Sequence, residues 1–102
     1  MFGDMMGKLQ EMKQKVAETK QRLETQYVTG ESENGAVKVT ANGNKKITNI
    51  DLQDELFKGE KEELEDLMVI AINRALDKAE ELHEKEITNA TKGMLPDIPG
   101  LS

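Results

Sequence analysis

Near the N-terminus, apolar residues recur at alternating intervals of four and three residues, which is the heptad spacing of one helix face. Residues 4–26 contain no proline, so this spacing predicts a helix about 33 Å long with Asp4 as its N-cap. A stripe this narrow on so long a helix needs a partner to cover it. The stripe consists of Met5, Leu9, Met12, Val16, Thr19, Leu23 and Gln26.

Beyond this helix the pattern changes to the two-residue period of β-strands. It predicts three short antiparallel strands at residues 27–29, 36–42 and 45–52. Asn34-Gly35, a strong short signal for a hairpin, joins the first two strands, and a turn at residues 42–44 joins the last two.

The alternation also assigns side chains to the two faces of this sheet. In the third strand, Thr48, Ile50 and Leu52 fall on one face and Ile47 falls on the other. Gly30 does not belong to a phosphate-binding loop, since the sequence has no Gly-Lys-Ser/Thr motif there, so we interpret it as a turn glycine.

Residues 60–90 predict a second, longer helix, preceded by one helical turn at residues 54–57. Its middle is apolar over more of the circumference than one contact needs, so we expect the sheet on one side and a second subunit on the other. Gly93 and the two prolines after it end the helix, and residues 93–102 are predicted to be a flexible tail. The residues predicted at the dimer interface are Leu67, Val69, Ile70, Ile72 and Leu76.

Length and composition indicate one small domain, residues 1–92. Hydrophobic residues make up 36% of the chain and only three residues are aromatic, which favours oligomerisation as a further source of burial. No cysteine is present, so disulfides are excluded. The longest apolar run, residues 67–72, is far shorter than a membrane span, and the N-terminus lacks the pattern of a secretory signal. We therefore expect a cytoplasmic protein that does not bind membranes.

The net charge of −6 is unevenly divided along the chain. Residues 1–50 carry a net charge of +2 and residues 51–102 a net charge of −8. The acidic total disfavours tight non-specific binding to nucleic acid, but the first half allows a local basic surface. From the residues alone, the simpler interpretation of the lysines is a solvated helix face with ion pairs four residues apart, such as Glu11 with Lys15 and Lys20 with Glu24.

No constellation of residues is typical of an enzyme or a cofactor site. His83 is the only histidine and has no cysteine or obvious serine nucleophile to accompany it, so a surface histidine is the simpler interpretation. The carboxylates of residues 62–66 predict a solvated helix face rather than a hydrolytic pair. The sequence has neither the Cys/His spacing of a zinc site nor an EF-hand loop. We therefore predict no catalysis, no metal, no cofactor and no small-molecule substrate.

Several short segments follow one another in a specific order along nearly the whole chain. They are MFG at residues 1–3 before the heptad helix, VTGES at 28–32, GAVKVT at 35–40, NG at 42–43, LEDL at 64–67, Asn73, Ala75 and KAEEL at 78–82. No single segment is a chemical motif, but in their order and spacing they resemble the YbaB/EbfC family of bacterial nucleoid-associated proteins.

This resemblance implies an α+β fold in which long N- and C-terminal helices flank a three-stranded antiparallel sheet, in the order α-β-β-β-α. It also implies an intertwined homodimer whose helix pairs project like tweezers. Such a dimer would bind duplex DNA in the nucleoid through its phosphate backbone, with little or relaxed sequence preference and a possible effect on gene expression. The candidate DNA-binding residues are Lys8, Lys13, Lys15, Lys20 and Arg22 in the first helix, and Lys38, Lys45 and Lys46 in or beside the strands.

The second helix departs from the family's pattern because it is strongly acidic. Its basic residues, Arg74, Lys78, Lys85 and Lys92, stand among many carboxylates. This leaves an alternative open: a dimeric protein-interaction module whose acidic C-terminal helix engages a basic partner, with no physiological DNA binding.

Overall fold

The computed structural model describes residues 2–92, with side chains from residue 4 onward. The elements follow the order α-β-β-β-α, which confirms the predicted α+β fold. The predicted tail, residues 93–102, lies outside the described residues. The elements are α1 (Phe2–Leu23), β1 (Tyr27–Glu31), β2 (Val37–Asn42), β3 (Ile47–Leu52) and α2 (Lys61–Thr91), with 3₁₀ turns at Glu33–Gly35 and Asp54–Lys58.

Both ends of α1 differ from the prediction. The helix already includes Phe2, so Asp4 lies inside the first turn, where its carboxylate complements the helix dipole without being the N-cap. At the other end, the backbone N–H of Gly43 donates to the carbonyl oxygens of Leu23 and Gln26 at 2.9 and 2.8 Å. The turn between β2 and β3 therefore satisfies free carbonyls at the helix terminus, and α1 ends at Leu23.

The three strands form one antiparallel sheet in the order β1-β2-β3. The β1–β2 connection contains the predicted hairpin signal, since Asn34 and Gly35 both adopt positive φ angles, 69° and 67°. Ser32 is buried beside this connection, and its hydroxyl oxygen accepts a hydrogen bond from the backbone N–H of Val37 at 2.9 Å. The connection is thus closed by local backbone geometry and by one side-chain bond.

A bulge in β3 overturns the predicted facing of Ile47. Thr40 is opposite Asn49 while Ala41 is opposite Ile47, so Thr48 is the extra residue of the bulge. Because directly opposed residues share a face, Ile47 lies on the same side of the sheet as Ile50, and that side faces the core. The strict two-residue alternation had placed it on the opposite face.

The core lies between α2 and one face of the sheet. Small side chains on α2 allow the helix to approach the strands closely, and it packs mainly against β1 and β2. The fully buried residues of this core are Val37, Val39 and Ala41 from β2 and Ala71, Ala75 and Ala79 from α2.

Gly30 is the point of closest approach between the sheet and α2, and it is not the turn glycine that the sequence suggested. It lies inside β1, opposite Val39, with the backbone of α2 directly above it. A Cβ atom at this position would overlap the amide nitrogen of Ala75 and would lie 2.5 Å from the carbonyl oxygen of Ala71. A glycine inside a strand allows this kind of backbone contact.

The two long helices overlap near Gly43, which contacts both, and the longer part of each extends away from that level in the opposite direction to the other. Its N–H bonds to the end of α1, and its carbonyl oxygen lies 3.0 Å from His83 Nδ1 on α2. From that level α1 extends about 31 Å, whereas α2 continues beyond His83 for only about 12 Å. The N-terminal part of α1 therefore projects past the end of α2, which accounts for the 68 Å length of the molecule. Among the described residues, neither α1 nor α2 combines the length and the hydrophobicity that a membrane-spanning helix requires.

Candidate nucleic-acid interface

The cations of α1 form two rows rather than one patch. Positions seven apart lie on the same side of a helix, so Lys8, Lys15 and Arg22 form one row and Lys13 and Lys20 form another. The two rows flank the apolar stripe from opposite sides, because Lys13 and Lys15 are about 200° apart around the helix. All five side chains are exposed.

The buried Thr19 holds Arg22, the most C-terminal cation of its row, through a hydrogen bond. Arg22 Nη2 donates to Thr19 Oγ1 at 3.2 Å, and the Thr19 hydroxyl donates to the Lys15 carbonyl oxygen at 2.7 Å. This polar position of the stripe therefore has its hydrogen bonds satisfied, and it fixes the direction of one guanidinium group.

The β2–β3 turn presents Lys45 and Lys46 next to the end of α1. The Asn42 side-chain oxygen accepts from the N–H groups of Asn44 and Lys46 at 2.9 and 3.2 Å, which closes the turn. Lys45 adopts a φ of 66°, a conformation that few lysines take, and its side chain is exposed.

Contacts with α1 anchor this turn. Asn44 Nδ2 donates to the Lys20 carbonyl oxygen at 2.8 Å and to Glu24 Oε2 at 2.7 Å. Lys46 Nζ lies 3.7 Å from Glu24 Oε1, so Glu24 pairs with Lys46 and not with Lys20 as the helical spacing had suggested. These contacts place Lys20, Lys45 and Lys46 in one region of the surface.

His83 has a structural position on the other side of the same turn. A carbonyl oxygen can only accept, so the Nδ1 atom that lies 3.0 Å from the Gly43 carbonyl must carry a proton. The residue is half-buried, and it ties α2 to the turn that carries the two lysines.

Lys38 is set apart from the other candidate DNA-binding residues. It lies on the exposed face of β2, directly between Glu31 on β1 and Asp51 on β3. Two carboxylates as cross-strand neighbours offset its charge. The structure therefore brings Lys20 of α1 together with Lys45 and Lys46 of the β2–β3 turn, and it leaves Lys38 outside that group.

On α2, the basic residues share one flank, although acidic residues outnumber them along the helix. The intervals between Arg74, Lys78 and Lys85 are four and seven, so these three residues share one flank of the helix, and Lys92 follows its last residue. Arg74 Nη1 donates to the Glu31 carbonyl oxygen at 2.7 Å, which turns this flank toward β1. The outward face carries the carboxylates of Glu62, Asp66, Asp77, Glu80 and Glu84. Helical spacing was the signal that could have revealed this row.

An apolar surface remains uncovered beside β3. Because the Arg74 flank of α2 faces β1, the opposite flank, with Val69, Ile72 and Leu76, points toward β3. Helix α2 makes few contacts with that strand. Val69 is 57% exposed, and Ile47 and Ile50 are also exposed although they lie on the core-facing side of the sheet.

The predicted dimer-interface residues divide between the two flanks of α2. Leu67 and Ile72 are partly buried against the core of their own chain, and Leu76 is also partly buried. Val69 and Ile70 are exposed but point about 100° apart around the helix.

Within residues 2–92, no three acidic or histidine side chains cluster as a metal site would require.

Three comparisons place the chain among known proteins. A sequence profile of the YbaB/EbfC DNA-binding family matches residues 1–94. A nucleoid-associated protein from Flavobacterium johnsoniae is 38% identical over 97 residues, which cover 95% of this chain and 91% of the relative. A nucleoid-associated protein from Chlorobaculum parvum is 36% identical over 94 residues, covering 92% and 84%.

A solved structure shares the fold. The crystal structure of an uncharacterized protein from Helicobacter pylori superposes with a TM-score of 0.80 at 24% identity, covering 87% of this chain and 95% of the other. The profile match over nearly the whole length confirms the resemblance found in the sequence, and the chain belongs to the YbaB/EbfC DNA-binding family.

Proposed function

We propose that this protein binds duplex DNA in the nucleoid as a homodimer, through contacts to the phosphate backbone and without catalysis. The observation that carries the proposal is the segregation of charge. Cations line both sides of α1, where Glu11 and Glu18 border one of the two rows, and they occupy the adjoining β2–β3 turn. Carboxylates cover the outward face of α2. A protein with a net charge of −6 can bind a polyanion only if its positive groups are separated in this way.

The chemistry of these cations favours phosphates as their ligands. Four of the five on α1 are lysines, whose flexible ammonium groups act as point charges on phosphate oxygens. Contacts of this kind position a protein on DNA but carry no base information. We therefore expect little preference among duplex sequences.

The uncovered surface beside β3 supports the proposed homodimer. An apolar helix flank next to an apolar edge strand resembles the inside of a domain more than its outside, and a second copy would cover both. Val69 lies about 21 Å from the level of His83 along α2, and Met5 lies about 27 Å from that level in the opposite direction. Dimerisation beside β3 would therefore leave both copies of α1 free to contact DNA.

Salt dependence provides the first test of DNA binding. In gel shifts with two unrelated duplexes of equal length, log affinity should fall linearly with log salt concentration. With about four to eight phosphates contacted per dimer, the slope should be roughly −4 to −7, because each neutralised phosphate contributes about −0.9. The two duplexes should bind with affinities within about threefold of each other, since phosphates do not report sequence.

Charge reversals test which cations make the contacts. The double variants Lys45→Glu/Lys46→Glu and Lys13→Glu/Lys20→Glu should each weaken binding to both duplexes by at least about tenfold and reduce the salt slope. The matched control is Lys58→Glu/Lys61→Glu, which changes the net charge equally at exposed positions at the other end of the molecule. Equal losses for all three variants would mean that only net charge matters, and the interface assignment would then be wrong.

A wild-type protein that fails to shift either duplex at low salt would contradict DNA binding itself. The acidic outward face of α2 would then support the alternative of a protein-interaction module with a basic partner. Pull-down with poly-lysine beads, compared with poly-glutamate beads, would show whether that face binds cations.

A further inference from the structure

The apolar stripe of α1 is covered at one end and bare at the other. We call the six residues Met5, Leu9, Met12, Val16, Thr19 and Leu23 the α1 seam. Thr19 and Leu23 are fully buried, whereas Met5 is 65% exposed and Leu9 is 55% exposed. The change occurs along the length of the helix, because α2 ends at Thr91 and α1 continues about 19 Å beyond it.

The covered end shows what kind of element packs on this seam. α2 lies against the C-terminal part of α1, so the seam is already part of a helix–helix interface within the chain. A shallow groove lined by Met12, Lys13, Val16, Ala17 and Lys20 continues along one side of it. The bare end has the same heptad spacing as the covered end, and a second helix in line with α2 would extend the interface.

The flanking charges identify the chemistry of that helix. In a heptad repeat, the residues at the positions beside the seam select which partner helix can pack on it. Five of the six such positions on α1 carry a cation, and the sixth carries Met6. The five cations are Lys8, Lys13, Lys15, Lys20 and Arg22. If two copies of α1 packed along their seams, whether parallel or antiparallel, the flanking cations of one copy would lie opposite those of the other. Like-charge repulsion therefore disfavours the pairing of α1 with itself. A helix with acidic flanks would place a carboxylate opposite each row.

We propose that the bare part of the α1 seam is a docking surface for an amphipathic helix of a partner protein, one with an apolar stripe flanked by Asp and Glu. Helix-in-groove recognition of this kind uses apolar anchors at heptad spacing and charges for selection. The proposal does not depend on DNA binding. The two activities share the lysines but not Met5 and Leu9, which contact no phosphate.

A synthetic peptide of three heptads, with Leu at the seam positions and Glu at all flanking positions, provides the probe. Fluorescence anisotropy of the labelled peptide with the full-length protein should show saturable binding. The same peptide with Lys in place of Glu should bind at least about tenfold more weakly, a difference of about 1.4 kcal/mol. Equal binding of the two peptides would overturn the proposal.

Substitutions on α1 separate the seam from the rest of the helix. Met5→Ser/Leu9→Ser should weaken binding of the acidic peptide at least about tenfold, while the matched variant Gln10→Ser/Gln14→Ser, on the side of α1 away from the seam, should leave it unchanged. Undiminished binding by the seam variant would contradict the proposal. A seam variant that lost DNA affinity to the same extent would assign the surface to DNA instead.

Two further readouts distinguish other occupants. Sedimentation of the seam variant should show the same oligomeric state as the wild type, and a change would identify a second copy as the occupant. Removal of residues 93–102 should leave peptide affinity within about threefold of the wild type. A rise of about tenfold or more would identify that segment of the same chain as the occupant and would overturn the proposal.

Discussion

A Gly30→Ala variant is expected to lose about 3 kcal/mol of folding free energy, at the upper end of the range for overpacked cores. The added methyl group would overlap backbone atoms of Ala71 and Ala75 on α2, and backbone cannot rotate away as a flexible side chain can. The only relief is separation of α2 from β1, which would open the core. For a domain of this size such a loss lowers the melting temperature by roughly 12 to 24 °C, measurable by circular dichroism.

Gly7→Ala is the matched control for this variant. Gly7 lies in α1, and a Cβ atom there would have no neighbour within 4 Å among the residues that the structure describes. Alanine is better than glycine in a helix by about 1 kcal/mol, so this variant should keep or slightly raise the melting temperature. A Gly30→Ala protein that melts within about 3 °C of the wild type would show that α2 and β1 are not packed as closely as described.

The elements of the fold could be predicted because each has a local cause. The heptad spacing before Leu23, the Asn34-Gly35 hairpin and the long apolar pattern after Gly59 are all encoded within a few neighbouring residues. The helix predicted over residues 60–90 is observed as Lys61–Thr91. Local patterns of this strength specify secondary structure without reference to the rest of the chain.

The errors arose where contacts between distant residues decide the outcome. Alternation alone cannot reveal that Thr48 is an extra residue in the ladder, because the bulge is defined by the register with β2. Gly30 resembled a turn glycine because its role depends on the backbone of α2, more than forty residues away. The end of α1 at Leu23 depends in the same way on Gly43.

The candidate site was only partly predictable for the same reason. The sequence singled out the lysines of α1 and of the turn, but contacts of Asn44 and Glu24 are needed to place the turn beside Lys20. Lys38 was included as one more basic residue, and its carboxylate neighbours on β1 and β3 follow only from the strand register. The row on α2 was passed over because the helix was judged by its net charge and not by its periodicity.

Introducing a carboxylate beside β3 is expected to break the proposed homodimer. The wild type should sediment at twice the 11.4 kDa mass of one chain at micromolar concentration. Val69→Glu and Ile50→Glu each place a charge on a surface that is exposed in one protomer and would be buried between two. Burying an unpaired carboxylate costs several kcal/mol, so the dissociation constant should rise at least about a hundredfold.

Thr88→Glu is the matched control for these dimer variants, because it adds the same charge at an exposed position of α2 about 28 Å from Val69. It should remain dimeric, while the two interface variants should sediment as monomers or lose helical signal if the protomer cannot fold alone. DNA affinity should fall with dimerisation, since each dimer presents two copies of the α1 cations and simultaneous binding raises their effective concentration. Two interface variants that both remain dimeric would place the contact between subunits elsewhere, with the exposed Ile70 flank of α2 as the next surface to test.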